Sequence, residues 1–119
     1  MTFDEFTVVL LRRNPDGPQL SEADASALQD AHLAHLASLH EAGQLLAAGP
    51  LAFTDPDEPL CGLSILGLPV AEARALKEAD PAVQAGVFTL QVLPWRVPGG
   101  ALRYCATRFP HSIAEVLGE

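Results

Sequence analysis

Three histidines share one stretch of the chain, residues 21–43, whose apolar periodicity predicts an amphipathic helix; they are His32, His35 and His40. His32 lies at the centre of the apolar stripe, because at about 100° per residue three leucines fall within about 40° of it, namely Leu28, Leu36 and Leu39. An imidazole that points into an apolar face needs a hydrogen-bond partner. If that partner is a carboxylate, it fixes the imidazole tautomer and leaves the other ring nitrogen free to transfer a proton. His32 is therefore the first candidate for general acid–base chemistry.

Asp80 is the carboxylate that we expect to pair with His32. It stands directly before Pro81 and follows a second predicted helix, residues 70–79. If both helices pack on the same face of a sheet, the end of the second helix can approach the first. Two structural alternatives stay open. His32 can be a core histidine bonded to a backbone carbonyl, and Asp80 can cap a turn over residues 80–84, since Asp–Pro is a favoured helix start.

Other kinds of site have weaker support. A metal held by His32, His35 and Asp80 is conceivable, but all three histidines together would strain one coordination sphere, and we expect no metal. His35 and His40 flank the apolar stripe, where a half-exposed histidine is ordinary. The serines and cysteines lack the surroundings of an activated nucleophile, and no glycine-rich loop suits a phosphate-bearing cofactor, so we expect none. Trp95 is expected to fill the sheet end or a pocket as a core residue.

Composition limits the class of protein. The 119 residues suffice for one domain with a single core, and 49% of them are hydrophobic. The formal charge is −8 with only seven lysines and arginines, which disfavours binding to nucleic acid or to an anionic membrane surface. The apolar run of residues 7–11 is too short for a signal peptide or a membrane span. Cys61 and Cys105 lack CxxC spacing, so we expect free thiols and a cytoplasmic protein.

Turn and capping signals divide the chain into strands and helices. A strong turn at residues 14–18 ends the first strand, Ser21 begins the first helix as a capping residue with Asp24, and Gly43 ends that helix. The order is strand, helix, strand, strand, helix, strand, over residues 6–12, 21–43, 44–48, 61–68, 70–79 and 87–95. In the last strand the alternation directs three side chains toward the core, those of Phe88, Leu90 and Val92.

This order is typical of an α+β, ferredoxin-like fold, in which an antiparallel sheet carries both helices on one face. The other face would be apolar and open, and a second copy of the chain is the simplest cover, so we expect a homodimer or a higher oligomer. We assign residues 1–97 to one domain. Residues 98–119 are a C-terminal extension, in which residues 101–107 form an extra strand or a dimer arm and residues 111–117 form one or two helical turns.

Two segments together resemble the YCII-related family. They are AHLAHLASLHEAGQLLAAGPL, residues 31–51, and EADPAVQAGVFTLQVLPW, residues 78–95. The shared pattern is a histidine helix ending in L-x-x-x-G-x-L-L-x-A-G-P, a later D-P-x-x-x-A-G, and a last strand ending in P-W or P-F. The resemblance extends over residues 6–95. It implies a dimeric α+β barrel built from ferredoxin-like halves, with an active site formed by His32 and Asp80.

The resemblance also implies a small enzyme. A relative is a dehydrochlorinase acting on a chlorinated hydroxyquinol, and barrels of related architecture include cofactor-free monooxygenases and muconolactone-type isomerases. We therefore expect cofactor-free elimination, dehydrochlorination or isomerisation of a small cyclic or aromatic molecule; a non-catalytic ligand-binding or sensing protein is the alternative. Many relatives carry R-P-x-H, whereas Gln29 occupies the arginine position here. If that arginine binds an anionic substrate in the relatives, this chain lacks the interaction.

Overall fold

The chain alternates strands and helices in the predicted order. The computed structural model describes residues 1–118, so Glu119, the last residue of the predicted extension, lies outside the described residues. The strands of the described chain are β1 Phe3–Arg13, β2 Leu45–Pro50, β3 Leu60–Leu66 and β4 Phe88–Pro98. The helices are α1 Glu22–Glu41, α2 Val70–Glu78, the short α3 Pro81–Gln84 and the short α4 Ile113–Val116.

The strands form one sheet in the order β2-β3-β1-β4, and each neighbouring pair is antiparallel. The predicted α+β, ferredoxin-like fold is therefore confirmed. Val9 on β1 lies opposite Ser64 on β3 and Val92 on β4, so these three side chains project from the same face of the sheet. This is the face that α1 and α2 cover, because Val9 packs in one cluster with Leu39 and Ala73 of those helices.

The hydrophobic core lies between the sheet and the helices. Its buried cluster contains Val9, Leu39, Leu45, Leu66 and Ala73. The predicted core direction in β4 is confirmed, because Leu90 and Val92 pack against this cluster while their neighbours Thr89 and Gln91 are exposed.

The limits of α1 follow from its capping residues. The Ser21 hydroxyl accepts a hydrogen bond from the Asp24 backbone N–H at 3.1 Å, as predicted for the helix start. After Glu41 the chain turns through Gly43, whose φ of 78° is a left-handed conformation that glycine adopts without a Cβ clash. Both ends of the helix that carries His32 are thus fixed locally.

At the end of the chain, the core position expected for Trp95 and the strand alternative for residues 101–107 were wrong, while the dimer-arm alternative stays a prediction. Trp95 is 40% exposed and projects from the uncovered sheet face together with Leu93, instead of packing in the core. Residues 101–107 form no strand within the described chain; they run irregularly back toward α1, where the Tyr104 hydroxyl donates to the His40 carbonyl at 2.6 Å. The predicted helical turn is present as α4.

Candidate active site

The structure brings His32 and Asp80 together. The Nδ1 atom of His32 lies 2.6 Å from Oδ2 of Asp80, and the two residues are 7% and 0% exposed. His32 lies on α1, whereas Asp80 is the residue that begins α3. The other carboxylate oxygen, Oδ1, accepts a hydrogen bond from the Ala82 backbone N–H at 2.9 Å. Asp80 therefore caps α3 and contacts His32 at the same time, so the capping interpretation does not compete with the pairing.

Asp80 is held in its ionised form. Burial raises the pKa of the Asp80 carboxyl. This increase is outweighed by the hydrogen bond and charge of His32, by the Ala82 N–H and by the Lys77 ammonium, so the pKa of Asp80 lies below its ordinary value. An ionised carboxylate accepts hydrogen bonds only, so Nδ1 of His32 carries the proton in this contact. The second ring nitrogen, Nε2, is then available to take or give a proton.

His32 lines a cavity of about 630 Å³. Its walls come from α1, from the helix-facing side of the sheet and from the C-terminal tail, which we define as residues 99–118. The Phe88 ring, one of the wall residues, is tilted against the His32 ring with 5.7 Å between the ring centroids. Most of the lining is apolar, and its larger apolar side chains on the helix-covered side include Leu11, Leu33, Leu36, Phe88, Phe109, Ile113 and Val116.

The polar groups of this cavity are few. Besides His32, the lining contains Gln29, Cys61 and Ser64 among its polar side chains. The Cys61 thiol contacts the Leu11 carbonyl at 3.3 Å, and burial raises its pKa despite the opposing influence of Arg13. A thiol with a raised pKa remains protonated at neutral pH and is a poor nucleophile. A largely apolar cavity with a few polar groups is typical of a small-molecule site.

The two other helix histidines lie outside this lining. The Nε2 atom of His35 is 2.9 Å from the Leu76 carbonyl, so His35 connects α1 to α2. The expectation of a half-exposed His40 was wrong: it is 1% exposed, with Nδ1 at 2.6 Å from the Leu45 carbonyl and Nε2 accepting from the Thr107 N–H at 3.0 Å. In residues 1–118 no group of three or more histidine, cysteine or acidic side chains is arranged to hold a metal ion.

Sequence reasoning missed two contributors to the site. Lys77 is 0% exposed, and its Nζ donates to the Ser64 hydroxyl at 3.2 Å. A possible signal was its position four residues after Ala73, on the buried side of α2. The tail was also missed: Phe109 stacks on His40 with 4.0 Å between ring centroids, and the Ile113 N–H donates to Asp30 at 2.8 Å. The spacing of Ile113 and Val116 is typical of one apolar helix face, but it does not indicate which surface of the protein this face packs against.

The helices of the described residues include none with the length and apolar character needed to span a bilayer.

Comparison with known proteins agrees with this fold. The YCII-related domain matches residues 6–96. Protein YciI of Escherichia coli O6:H1 is 38% identical over 68 residues, which is 52% of this chain and 69% of that protein, and Protein YciI of Shigella flexneri matches equally. A solved structure, 5-chloro-2-hydroxyhydroquinone dehydrochlorinase from Burkholderia phenoliruptrix AC1100 in complex with 2,5-dihydroxybenzoquinone, aligns with a TM-score of 0.53 at 22% identity over 80% of this chain and 95% of that one. The chain therefore belongs to the YCII-related family.

Proposed function

We propose that this protein is a small enzyme in which His32 performs general acid–base chemistry on a small cyclic or aromatic molecule, with Asp80 orienting the imidazole. The observation that carries the proposal is the buried contact of 2.6 Å between His32 and Asp80 beside a cavity that His32 lines. A base held in one tautomer in an apolar cavity is positioned for proton transfer. The structural neighbour, named as a dehydrochlorinase, supports elimination as the reaction type.

The proposed step needs proton transfer and one departing or migrating group. In an elimination, Nε2 of His32 takes a proton from the ring compound, the electron pair left behind forms a new π bond, and the leaving group departs with its bonding electrons. For a chlorinated ring the balance is the loss of HCl, the proton first on His32 and the chloride released. In an isomerisation the same nitrogen returns the proton to a different atom. Asp80 stabilises the imidazolium that exists between these events.

The uncovered face of the sheet supports a homodimer. It carries exposed and half-buried apolar side chains in a contiguous register, which include Val8, Leu63, Ile65, Leu93 and Trp95. Apolar surface of this kind is stabilised when a second copy covers it. The same surface could also be covered in a higher oligomer. The cytoplasmic location stays a prediction from the sequence.

A non-catalytic ligand-binding or sensing protein is the second candidate, and the largely apolar lining of the cavity favours it as much as it favours an enzyme. Two measurements distinguish these candidate functions. The full chain is incubated with 5-chloro-2-hydroxyhydroquinone and the released chloride is measured, and binding of 2,5-dihydroxybenzoquinone is measured in parallel by calorimetry. An enzyme of the proposed type releases chloride catalytically. Binding of the quinone without chloride release favours the sensing protein.

A further inference from the structure

Lys77 has an unusual position for a lysine. It is the only lysine of the sequence, it lies in the last turn of α2, and it is 0% exposed. Transferring an ammonium from water into a protein interior is costly, and an apolar side chain of similar volume is often at least as stable there. Lys77 is the smallest of the influences that lower the pKa of Asp80, and its ammonium makes no direct contact with His32 or Asp80, so its burial calls for a further explanation.

The charge of Lys77 has no carboxylate at short range. Within residues 1–118, no carboxylate oxygen lies within the 4.0 Å of an ion pair from its Nζ. Asp80 acts on it from farther away, and both oxygens of that carboxylate already accept hydrogen bonds. Burial lowers the pKa of Lys77 to about 8 although Asp80 opposes the change. The ammonium is therefore the main form at neutral pH, and its positive charge is only partly balanced.

Ser64 connects Lys77 to the cavity, because it contacts the ammonium and belongs to the cavity lining. It lies on β3, on the sheet face that the helices cover. Its hydroxyl oxygen accepts the hydrogen bond from Nζ of Lys77, which leaves the hydroxyl proton to be donated to another group. No lysine or arginine of the described chain lines the cavity itself, and Gln29 supplies only a neutral amide.

We propose that Ser64 and Lys77 form an oxyanion subsite of the cavity, in which the Ser64 hydroxyl donates a hydrogen bond to an ionised oxygen on the ring of the ligand. Ser64 contacts the ligand, and Lys77 is a positioning residue that makes the hydroxyl a stronger donor. A hydrogen bond to a charged oxygen in an apolar cavity is roughly twice as strong as one between neutral groups. The substrate class is thus a small ring bearing a phenolate or enolate oxygen.

This inference deepens the proposed function and rests on it, because both place the ring compound in the same cavity. The subsite holds the oxygen on which negative charge develops when His32 removes a proton from the ring compound. A stabilised oxyanion lowers the barrier of such a step, and removing one donor from an oxyanion site typically costs about 100-fold or more in rate.

The test measures ionisation of a bound phenol and requires no turnover. The full chain is saturated with 4-nitrophenol, whose ionised form absorbs visible light, and the apparent pKa of the bound phenol is read from a pH titration. We expect a fall in that pKa equivalent to at least about a tenfold rise in the acid dissociation constant, relative to free 4-nitrophenol. Ser64→Ala and Lys77→Met should each remove most of this decrease in the pKa of the bound phenol. Ser64→Thr keeps a hydroxyl and should retain the decrease.

Two controls separate this subsite from the acid–base pair. His32→Gln should retain the fall in the pKa of the phenol, since the oxyanion is held by Ser64; loss of turnover in that variant then concerns the proposed function alone. Ser38→Ala removes an exposed serine of α1 and should change nothing. The proposal is overturned if Ser64→Ala ionises the bound phenol as the wild type does, or if the wild type binds 4-nitroanisole as tightly as 4-nitrophenolate.

The single lysine offers a second measurement that does not depend on any substitution. The ε-carbon resonance of Lys77 reports its titration without overlap from other lysines, because the sequence has only this one. Binding of 4-nitrophenolate should raise the pKa of Lys77, since each charge stabilises the other and the linkage is reciprocal. An unchanged lysine titration in the saturated protein contradicts the subsite.

Discussion

At the scale of single residues, Asp80 connects the backbone to the chemistry. One oxygen caps α3 through Ala82 and the other holds His32, and both contacts are shorter than 3 Å. The dipeptide Asp80–Pro81 begins α3 through a contact between near neighbours, so the capping bond that orients the carboxylate is local. A local rule of helix capping thereby positions a side chain for a contact across 48 positions of sequence.

The variant Asp80→Asn separates these two tasks. An asparagine can still accept from Ala82, but its amide would donate to Nδ1 of His32 and reverse the tautomer, leaving a proton on Nε2. We expect a loss of about 100- to 10,000-fold in chloride release from 5-chloro-2-hydroxyhydroquinone, measured with thermal unfolding as a check on the fold. Asp24→Asn, in the first turn of α1, is the matched control. Equal rates for Asp80→Asn and the wild type would show that the tautomer is irrelevant.

Lys77 should make the free energy of unfolding depend on pH in the alkaline range. Its folded-state pKa of about 8 lies below the ordinary lysine value of about 10.4, so between these values the unfolded chain binds a proton that the folded chain does not. The free energy of unfolding should therefore rise with pH across this window, by an amount on the order of 3 kcal/mol.

Urea unfolding of the wild type and Lys77→Met at several alkaline pH values measures this dependence. Other titrating groups, including the Cys61 thiol, are common to both proteins, so the difference between the curves reports Lys77 alone. The two stabilities should converge as the pH rises, because the cost of the buried ammonium disappears. Parallel curves across the window would contradict a buried, titrating lysine.

At the scale of elements, local signals predicted the helices better than the last strand. Ser21 and Gly43 specify the ends of α1 through backbone contacts that depend on near neighbours. The last strand was predicted over residues 87–95, yet β4 continues to Pro98 and contains both Pro94 and Pro98. It tolerates both prolines because it is an edge strand, with β1 on one side and no strand of the described chain on the other.

The tail is the element that the sequence could not place. Its position depends on His40, which accepts from the Thr107 N–H and stacks on Phe109, and on Asp30, which accepts from the Ile113 N–H. Asp30 and Gln29 are neighbours in sequence on α1. One of them anchors the tail and the other lines the cavity with it. The same turn of α1 thus holds the tail and contributes to the cavity.

Phe109→Ala tests the tail as a wall of the cavity. Removing the ring exposes the cavity and removes apolar contact with a ligand, so we expect the Kd for 2,5-dihydroxybenzoquinone to rise about tenfold. Leu117→Ala, in the same tail but 69% exposed, is the control and should bind as the wild type does. Calorimetric titration gives both values. An unchanged Kd in Phe109→Ala would mean that ligands bind away from this wall.

At the scale of the whole molecule, the pairing of His32 with Asp80 needed both the topology and the family resemblance. Periodicity identified His32 as a histidine among leucines, and the strand–helix order allowed the helix ends to meet. Neither specified the cavity, because its shape depends on how α1, the sheet and the tail pack together. The burial of Lys77 depends in the same way on the rotation of α2 against the sheet.

The uncovered sheet face makes a prediction about assembly. Trp95→Arg introduces a charge into the apolar face, which should prevent a second copy from covering it. Light scattering should give the molar mass of a dimer or larger oligomer for the wild type and that of a monomer for Trp95→Arg. Leu20→Arg is the matched control, since Leu20 is also 40% exposed but precedes α1. A monomeric wild type, or a Trp95→Arg variant of unchanged mass, contradicts the proposed interface.

The most direct measurement of the central claim compares two neighbouring histidines of α1. His32 lines the cavity and contacts Asp80, whereas His35 contacts the Leu76 carbonyl and does not belong to the lining. Steady-state chloride release from 5-chloro-2-hydroxyhydroquinone should fall by at least about 100-fold in His32→Gln and stay at the wild-type rate in His35→Gln. Full activity in His32→Gln would contradict the assignment of His32 as the acid–base group.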